Sequence, residues 1–182
     1  MSKKIFDSYL QLFKIFYESK DLAHGIGHIR RVYSKAVIFS KGREINKKAL
    51  ALGAILHGLT EDKYQEARVI LLNNGLQEEL IEKALTIARG SQATAVPVSM
   101  EGKILHDAHL CEGGDYFIPI KALATAISRG YSIKENYNWV EKNIIMNKKR
   151  KCYTKQGKKE YSKKMKMLKL VWKELAAIIK DS

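Results

Sequence analysis

Apolar residues recur at steps of three and four along most of the chain, the spacing of one face of an α-helix. Ile5, Tyr9, Phe13 and Phe16 predict a first helix over 3–19. The longest stripe lies near the end, at Tyr161, Met165, Leu168, Trp172, Leu175 and Ile179. Further helices are predicted over 26–40, 45–57, 60–73, 77–89, 102–112, 116–129 and from 132 onward. The pattern predicts an all-α fold, a single compact bundle of about eight to nine helices over 1–182.

Helix-terminating residues divide these segments. Gly42 suits the end of the second helix, and Thr60 suits the start of the fourth. Ser132 and Glu135 have the spacing of a capping box. The stretch 93–98 is compatible with a short extended segment, and the basic residues of 147–158 predict a mobile loop.

Composition narrows the class of protein. Two prolines among 182 residues disfavour a β-sandwich, and two cysteines cannot form a disulfide scaffold. The N-terminus lacks the apolar block of a signal peptide, and no uncharged apolar stretch is long enough to span a bilayer. We therefore expect a cytoplasmic protein without a membrane partner.

The net charge of +14 is uneven along the chain. Residues 141–182 contain 14 basic and 4 acidic side chains, a net of +10. Such a segment attracts phosphate groups and makes nucleic acid a candidate partner. A solvated, lysine-rich face with no partner explains the same charge equally well. The sequence gives no indication of oligomeric state.

All five histidines fall in three short segments, at His24, His28, His57, His106 and His109. Neutral imidazole and carboxylate groups both donate lone pairs to divalent cations, so the clustering indicates a metal site. A single histidine at a helix end is more often a capping or core residue. The concentration of all five beside glycines or carboxylates favours the metal interpretation.

Three motifs resemble the HD-domain superfamily of metal-dependent phosphohydrolases. They are HGIGHIRRV at 24–32, ALGAILHG at 51–58 and GKILHDAHLCEGG at 102–114. Their order and spacing are similar to the family's over about residues 20–130. The basic segment 131–182 resembles the C-terminal helical extension of small members.

The resemblance implies His28 and His57 as two ligands of one divalent ion. The family's Asp after the second histidine is replaced by Gly58, so this chain is a His-Gly variant. The third ligand is Asp107 or His109, whose side chains point about 200° apart on a regular helix. We take Asp107 as the expected ligand and His109 as its rival.

The resemblance also implies the chemistry, hydrolysis of a nucleotide or another small phosphate ester by a metal-activated water. His24, Glu61 or His109 would handle protons, and Arg30 and Arg31 would bind the substrate's phosphate. His106 and Glu112 would support the ligands from behind. The surplus of imidazole over carboxylate favours Mn, Fe, Ni or Zn over Mg.

Gly58 leaves two further interpretations open. The first is a degenerate HD domain that binds a ligand or nucleic acid without turnover. The second is a di-iron oxygenase of HD type, which the small number of carboxylates disfavours.

Overall fold

A computed structural model describes residues 3–21 and 23–180. The α-helices are α1 Lys3–Leu12, α2 Ile15–Glu18, α3 Ile26–Phe39, α4 Lys47–Leu56, α5 Tyr64–Asn73, α6 Glu78–Gly90, α7 Met100–Leu110, α8 Phe117–Ser128, α9 Ile133–Val140 and α10 Lys155–Lys180. A 3₁₀ turn, Glu61–Lys63, precedes α5, and a π-helical segment, Glu141–Ile145, extends α9. The described residues contain no strand and no helix that is both long and apolar enough to cross a membrane. The predicted all-α fold is confirmed.

Most predicted helix bounds agree with the structure to within a few residues. The capping box of α9 is present, with Ser132 and Glu135 bonded reciprocally. The predicted helix over 3–19 is two helices, because the backbone at Phe13 and Lys14 tightens into bonds to residues three positions earlier. Gly42 follows α3 with a positive φ of 71°.

Helix α4 lies at the centre of the main hydrophobic core, and every residue from Ala49 to Leu56 is buried. It packs most extensively on α6 and also contacts α3 and α7. Gly53 permits the close approach of α6, since a Cβ there would lie 2.5 Å from Cγ2 of Ile87. This packing brings the C-terminal end of α4 beside the loop that follows α6.

The apolar stripe of α10 has its partner within the chain. Leu168 and Trp172 form a second hydrophobic cluster with Ala122, Val140 and Ile144. The Trp172 indole also donates a 3.3 Å hydrogen bond to the carbonyl of Tyr137. This cluster holds α8, α9 and the π-helical segment against α10.

The segment predicted to be a mobile loop at 147–158 is instead anchored, and α10 begins within it, at Lys155. The buried carboxylate of Asp107 accepts hydrogen bonds from the backbone of Tyr153 (2.8 Å) and the backbone and hydroxyl of Thr154 (both 2.7 Å). Cys152 is buried as well. Asp107 therefore fixes the start of α10.

We predict that Asp107→Asn lowers the free energy of unfolding by about 2–3 kcal/mol, because an amide NH₂ would face backbone donors in place of a charged acceptor. Urea denaturation would measure this loss. Asp115→Asn is the matched control and should change little, since Asp115 forms only an exposed ion pair with Lys163. A variant as stable as the wild type would contradict the anchoring role.

Candidate metal centre

Three histidines from three helices meet at one point. His28 lies in the first turn of α3, His57 caps the C-terminus of α4, and His109 is in the last turn of α7. One potential ligand atom from each lies within 4.8 Å of the other two. The ring centroids of His57 and His109 are 4.4 Å apart. The ring centroid of His28 lies 5.3 Å from that of His57 and 5.6 Å from that of His109. The group is close enough to bind a single ion.

Glu112 orients His28. Nδ1 of His28 lies 2.8 Å and 2.9 Å from the two carboxylate oxygens of Glu112. Burial alone would raise the pKa of Glu112, but the His28 hydrogen bond and the charge of Lys121 outweigh it and lower the pKa to about 2. The carboxylate is therefore an acceptor, and Nδ1 of His28 carries the hydrogen.

Ser91, in the loop after α6, orients the other two rings. Its hydroxyl donates to the carbonyl of Ala88 and accepts from Nδ1 of His57 at 2.6 Å. Its own carbonyl accepts from Nδ1 of His109 at 3.0 Å. With Nδ1 protonated on all three rings, each Nε2 keeps a free lone pair, the arrangement found when histidines bind a metal.

Burial keeps these imidazoles neutral. Desolvation lowers the pKa of His57 and His109 well below the usual value, and neighbouring imidazoles lower it further. Burial also lowers the pKa of His28. Neutral imidazole is the form that donates to a cation. The residues therefore fit a divalent ion, since three protein ligands with one position left for water are the arrangement of catalytic zinc sites.

Two cations flank this centre. Nζ of Lys121, in α8, contacts the Glu112 carboxylate, and Nε of Arg31 lies 3.2 Å from the same group. The Arg31 guanidinium also stacks on the ring of Phe117 at 4.8 Å. Glu112 offsets one of these two charges, so the surroundings remain favourable for an anion.

His24 lies at the edge of the group, half-exposed, with its ring centroid 6.1 Å from that of His28. Its Nδ1 is 2.7 Å and 2.9 Å from the carboxylate oxygens of Asp21. This contact leaves Nε2 free of Asp21, and His24 lines a cleft that opens beside the histidine group.

Four residues expected in the site have other partners. Asp107 is bonded to the start of α10, as described above, and does not belong to the histidine group; His109 takes its place.

Glu61 is exposed and paired with Arg89. Arg30 is exposed and paired with Asp7, so only its neighbour Arg31 faces the centre. His106 is buried between the carbonyls of Gly90 and Lys151.

Position 58 has no room for a side chain unless Tyr17 moves. A Cβ on Gly58 would lie 2.6 Å from Cε1 of Tyr17 and 3.1 Å from Cδ1 of Ile29. The Tyr17 hydroxyl donates to the carbonyl of Ile55, and Lys20 donates to the carbonyl of Gly58. The space beside His57 is thus filled by an aromatic ring with bonded polar groups around it.

Sequence reasoning missed Ser91, Lys121, Asp21 and Tyr17. None of them stands in a recognisable motif, and they reach the centre from three separate parts of the chain. Asp21 alone carries a local signal, its position three residues before His24. Glu112 was expected as a partner of a ligand, and the structure places it on His28.

Comparisons with known proteins show which fold the chain resembles. No family model and no curated protein matches this chain. The chain is similar to the crystal structure of Bacillus subtilis YpgQ in complex with ADP, with a TM-score of 0.71 and 16% identity over 96% of this chain and 97% of that chain. YpgQ is an HD-domain protein. The fold is HD-like. At this identity the similarity concerns the fold alone, so the roles of the histidines rest on their geometry.

We predict that His57→Ala and His109→Ala each abolish metal binding, because the two imidazoles that remain in each variant are too few to hold the ion. Ser91→Ala should weaken affinity about 10- to 100-fold by freeing the His57 ring. Elemental analysis of untagged protein measures the stoichiometry, and His106→Gln and Asp107→Asn serve as controls. If His109→Ala retains the metal and Asp107→Asn loses it, Asp107 is the third ligand and His109 is not.

Introducing a side chain at position 58 should destabilise the protein. We predict that Gly58→Asp and Gly58→Ala both lower the free energy of unfolding, by about 1–3 kcal/mol, because the added Cβ overlaps the Tyr17 ring. Neither should increase metal affinity. Gly114→Ala is the matched control, since a Cβ there meets no atom within 4 Å. Tighter metal binding in Gly58→Asp would show that the position is open to a ligand.

Proposed function

We propose that this protein is a metal-dependent phosphohydrolase that acts on a nucleotide or a related small phosphate ester. The observation that carries the proposal is the convergence of His28, His57 and His109 with their Nδ1 hydrogens already bonded. Three neutral nitrogen donors beside a cationic cleft suit an ion that works on an anionic substrate.

His28, His57 and His109 would hold the ion, and their softness as ligands favours Zn, Fe, Ni or Mn over Mg. A divalent ion there supplies Lewis acidity toward a phosphoryl oxygen and lowers the pKa of a water ligand. Lys121 and Arg31 would bind the substrate's phosphate oxygens while remaining bonded to Glu112. Glu112 thus positions both a ligand and the two phosphate-binding cations.

His24 is placed for proton transfer. Its Nδ1 hydrogen is bonded to Asp21, so its Nε2 can accept a proton from water or return one to a leaving group. The pairing of an imidazole with a carboxylate that fixes its tautomer is the arrangement general bases commonly use. His109, expected to share this role, is half-buried, and its Nδ1 is bonded to the carbonyl of Ser91 within the histidine group.

A nucleotide is the favoured substrate class. YpgQ, whose fold this chain shares, was crystallised with ADP. In this chain the cleft beside the histidines is lined by cationic Lys121 and Arg129 as well as by aromatic residues. Such a lining suits a phosphate joined to a flat ring.

A binding module without turnover is the alternative, and one observation favours it. Many lysines of α10 are exposed, among them Lys158, Lys159, Lys166, Lys169 and Lys173. Lys164 is an exception, because it is buried and donates to the carbonyls of residues 112–114. The di-iron interpretation has less support, since the histidine group found among the described residues includes no carboxylate.

The test is phosphate release from nucleoside mono-, di- and triphosphates by protein loaded separately with Mn, Fe, Ni, Zn or Mg. We predict that His24→Ala lowers kcat about 100-fold or more with metal content unchanged. Arg31→Met should raise KM, whereas Arg30→Met, the matched control, should leave it unchanged because Arg30 pairs with Asp7 outside the site.

Metal-loaded protein that hydrolyses none of these phosphates would overturn the proposal. Salt-sensitive binding to nucleic acid by that inactive protein would then favour the binding module. Oxygen consumption by iron-loaded protein would favour the oxygenase.

A further inference from the structure

A cleft of about 200 Å³ opens beside the histidine group. His24, His109, Glu112 and Lys121 line it. The rest of its wall comes from Leu110, α8, α9, the turn between these two helices, the π-helical segment and Arg150. For comparison, an apolar cavity of about 150 Å³ accommodates benzene. The cleft therefore has room for a ring next to the proposed reaction centre.

Two polar atoms in this wall lack partners. Among the described residues, the buried side-chain nitrogens without a hydrogen bond are Nδ2 of Asn136 and Nε of Arg150, and both residues line this cleft. An unbonded buried donor is costly to folding and is uncommon in native proteins. Asn136 and Arg150 come from separate elements that line one cleft, so a ligand in that cleft is a candidate source of the acceptors. The Arg150 side chain also interacts with Tyr161.

The rest of the lining indicates the shape of that ligand. Phe117, Tyr131 and Trp139 offer aromatic surfaces, and the small side chains of Ala122 and Ala126 also line the cleft. A sugar would need acceptors as well as donors around its hydroxyl groups, whereas the unbonded atoms here are both donors. A flat nitrogen heterocycle has apolar faces and acceptors on its edge, and asparagine and arginine are side chains that commonly bond such edges.

We propose that Asn136 and Arg150 are specificity-determining residues that donate hydrogen bonds to the edge of a nucleobase-like ring in this cleft. The ring's phosphate would then lie toward Lys121 and the three histidines. This inference rests on the proposed function for the orientation of the ligand, while the binding of the ring itself does not require turnover.

The kinetic test compares wild type, Asn136→Ala and Arg150→Met as metal-loaded enzymes, with the four common nucleoside triphosphates and with inorganic triphosphate, which has no ring. Each variant should lose about 10-fold or more in kcat/KM for the best nucleotide, because an acceptor of the ring is left unbonded. Hydrolysis of inorganic triphosphate should change less than about two-fold. Asn143→Ala and Lys149→Met, on neighbouring positions outside the cleft lining, are the matched controls.

A second measurement does not depend on activity. Calorimetry with the free nucleosides adenosine, guanosine, cytidine and uridine should detect binding to wild type that Asn136→Ala and Arg150→Met weaken. Asn136→Leu should melt no lower than wild type, since it removes an unbonded donor from a buried position. Nucleoside binding without hydrolysis would contradict the proposed function and support this inference.

Hydrolysis that is insensitive to the ring and to both variants would overturn the inference and leave the proposed function intact. So would equal nucleoside affinity in all proteins, or absence of nucleoside binding by a folded wild type. A marked drop in the melting temperature of Asn136→Leu would also count against it, by giving Asn136 a structural role.

Discussion

Each of the three clustered imidazoles donates its Nδ1 hydrogen to a fixed acceptor, and this constraint governs the rest of the centre. Glu112 holds His28, while the hydroxyl and carbonyl of Ser91 hold His57 and His109. With those hydrogens engaged, the only free lone pairs of the rings are the three on Nε2. Burial keeps the rings uncharged, so the pairs remain available to a cation.

Glu112 joins this constraint to the surroundings of the site. Its carboxylate contacts His28, Arg31 and Lys121, and its backbone carbonyl accepts a hydrogen bond from the buried ammonium of Lys164. The same residue therefore links α3, α8 and α10 to the end of α7. Loss of the Glu112 carboxylate would free His28, Arg31 and Lys121 together.

Glycine at position 58 fits the packing beside the histidine group. Tyr17 fills the space that an aspartate at position 58 would need, and its hydroxyl is bonded to the backbone. The nearby carboxylates contact histidines: Glu112 accepts from His28, and Asp21 accepts from His24. A centre of three neutral imidazoles retains the full charge of its ion, and this favours an anionic substrate.

Local pattern in the sequence was enough to predict the all-α class, most helix positions and the capping box of α9, because these depend on neighbouring residues. It was also enough to draw attention to the histidines and to Glu112. It predicted a mobile loop before α10, because the basic composition of that segment gives no sign of its bonds to Asp107.

The choice between Asp107 and His109 could not be made from local sequence either. The two residues point in opposite directions from one helix, and only the packing of α7 between α3, α6 and α10 determines which side faces the other histidines. Ser91, Tyr17 and Lys121 reach the centre through the same long-range packing, so tertiary structure alone placed them there.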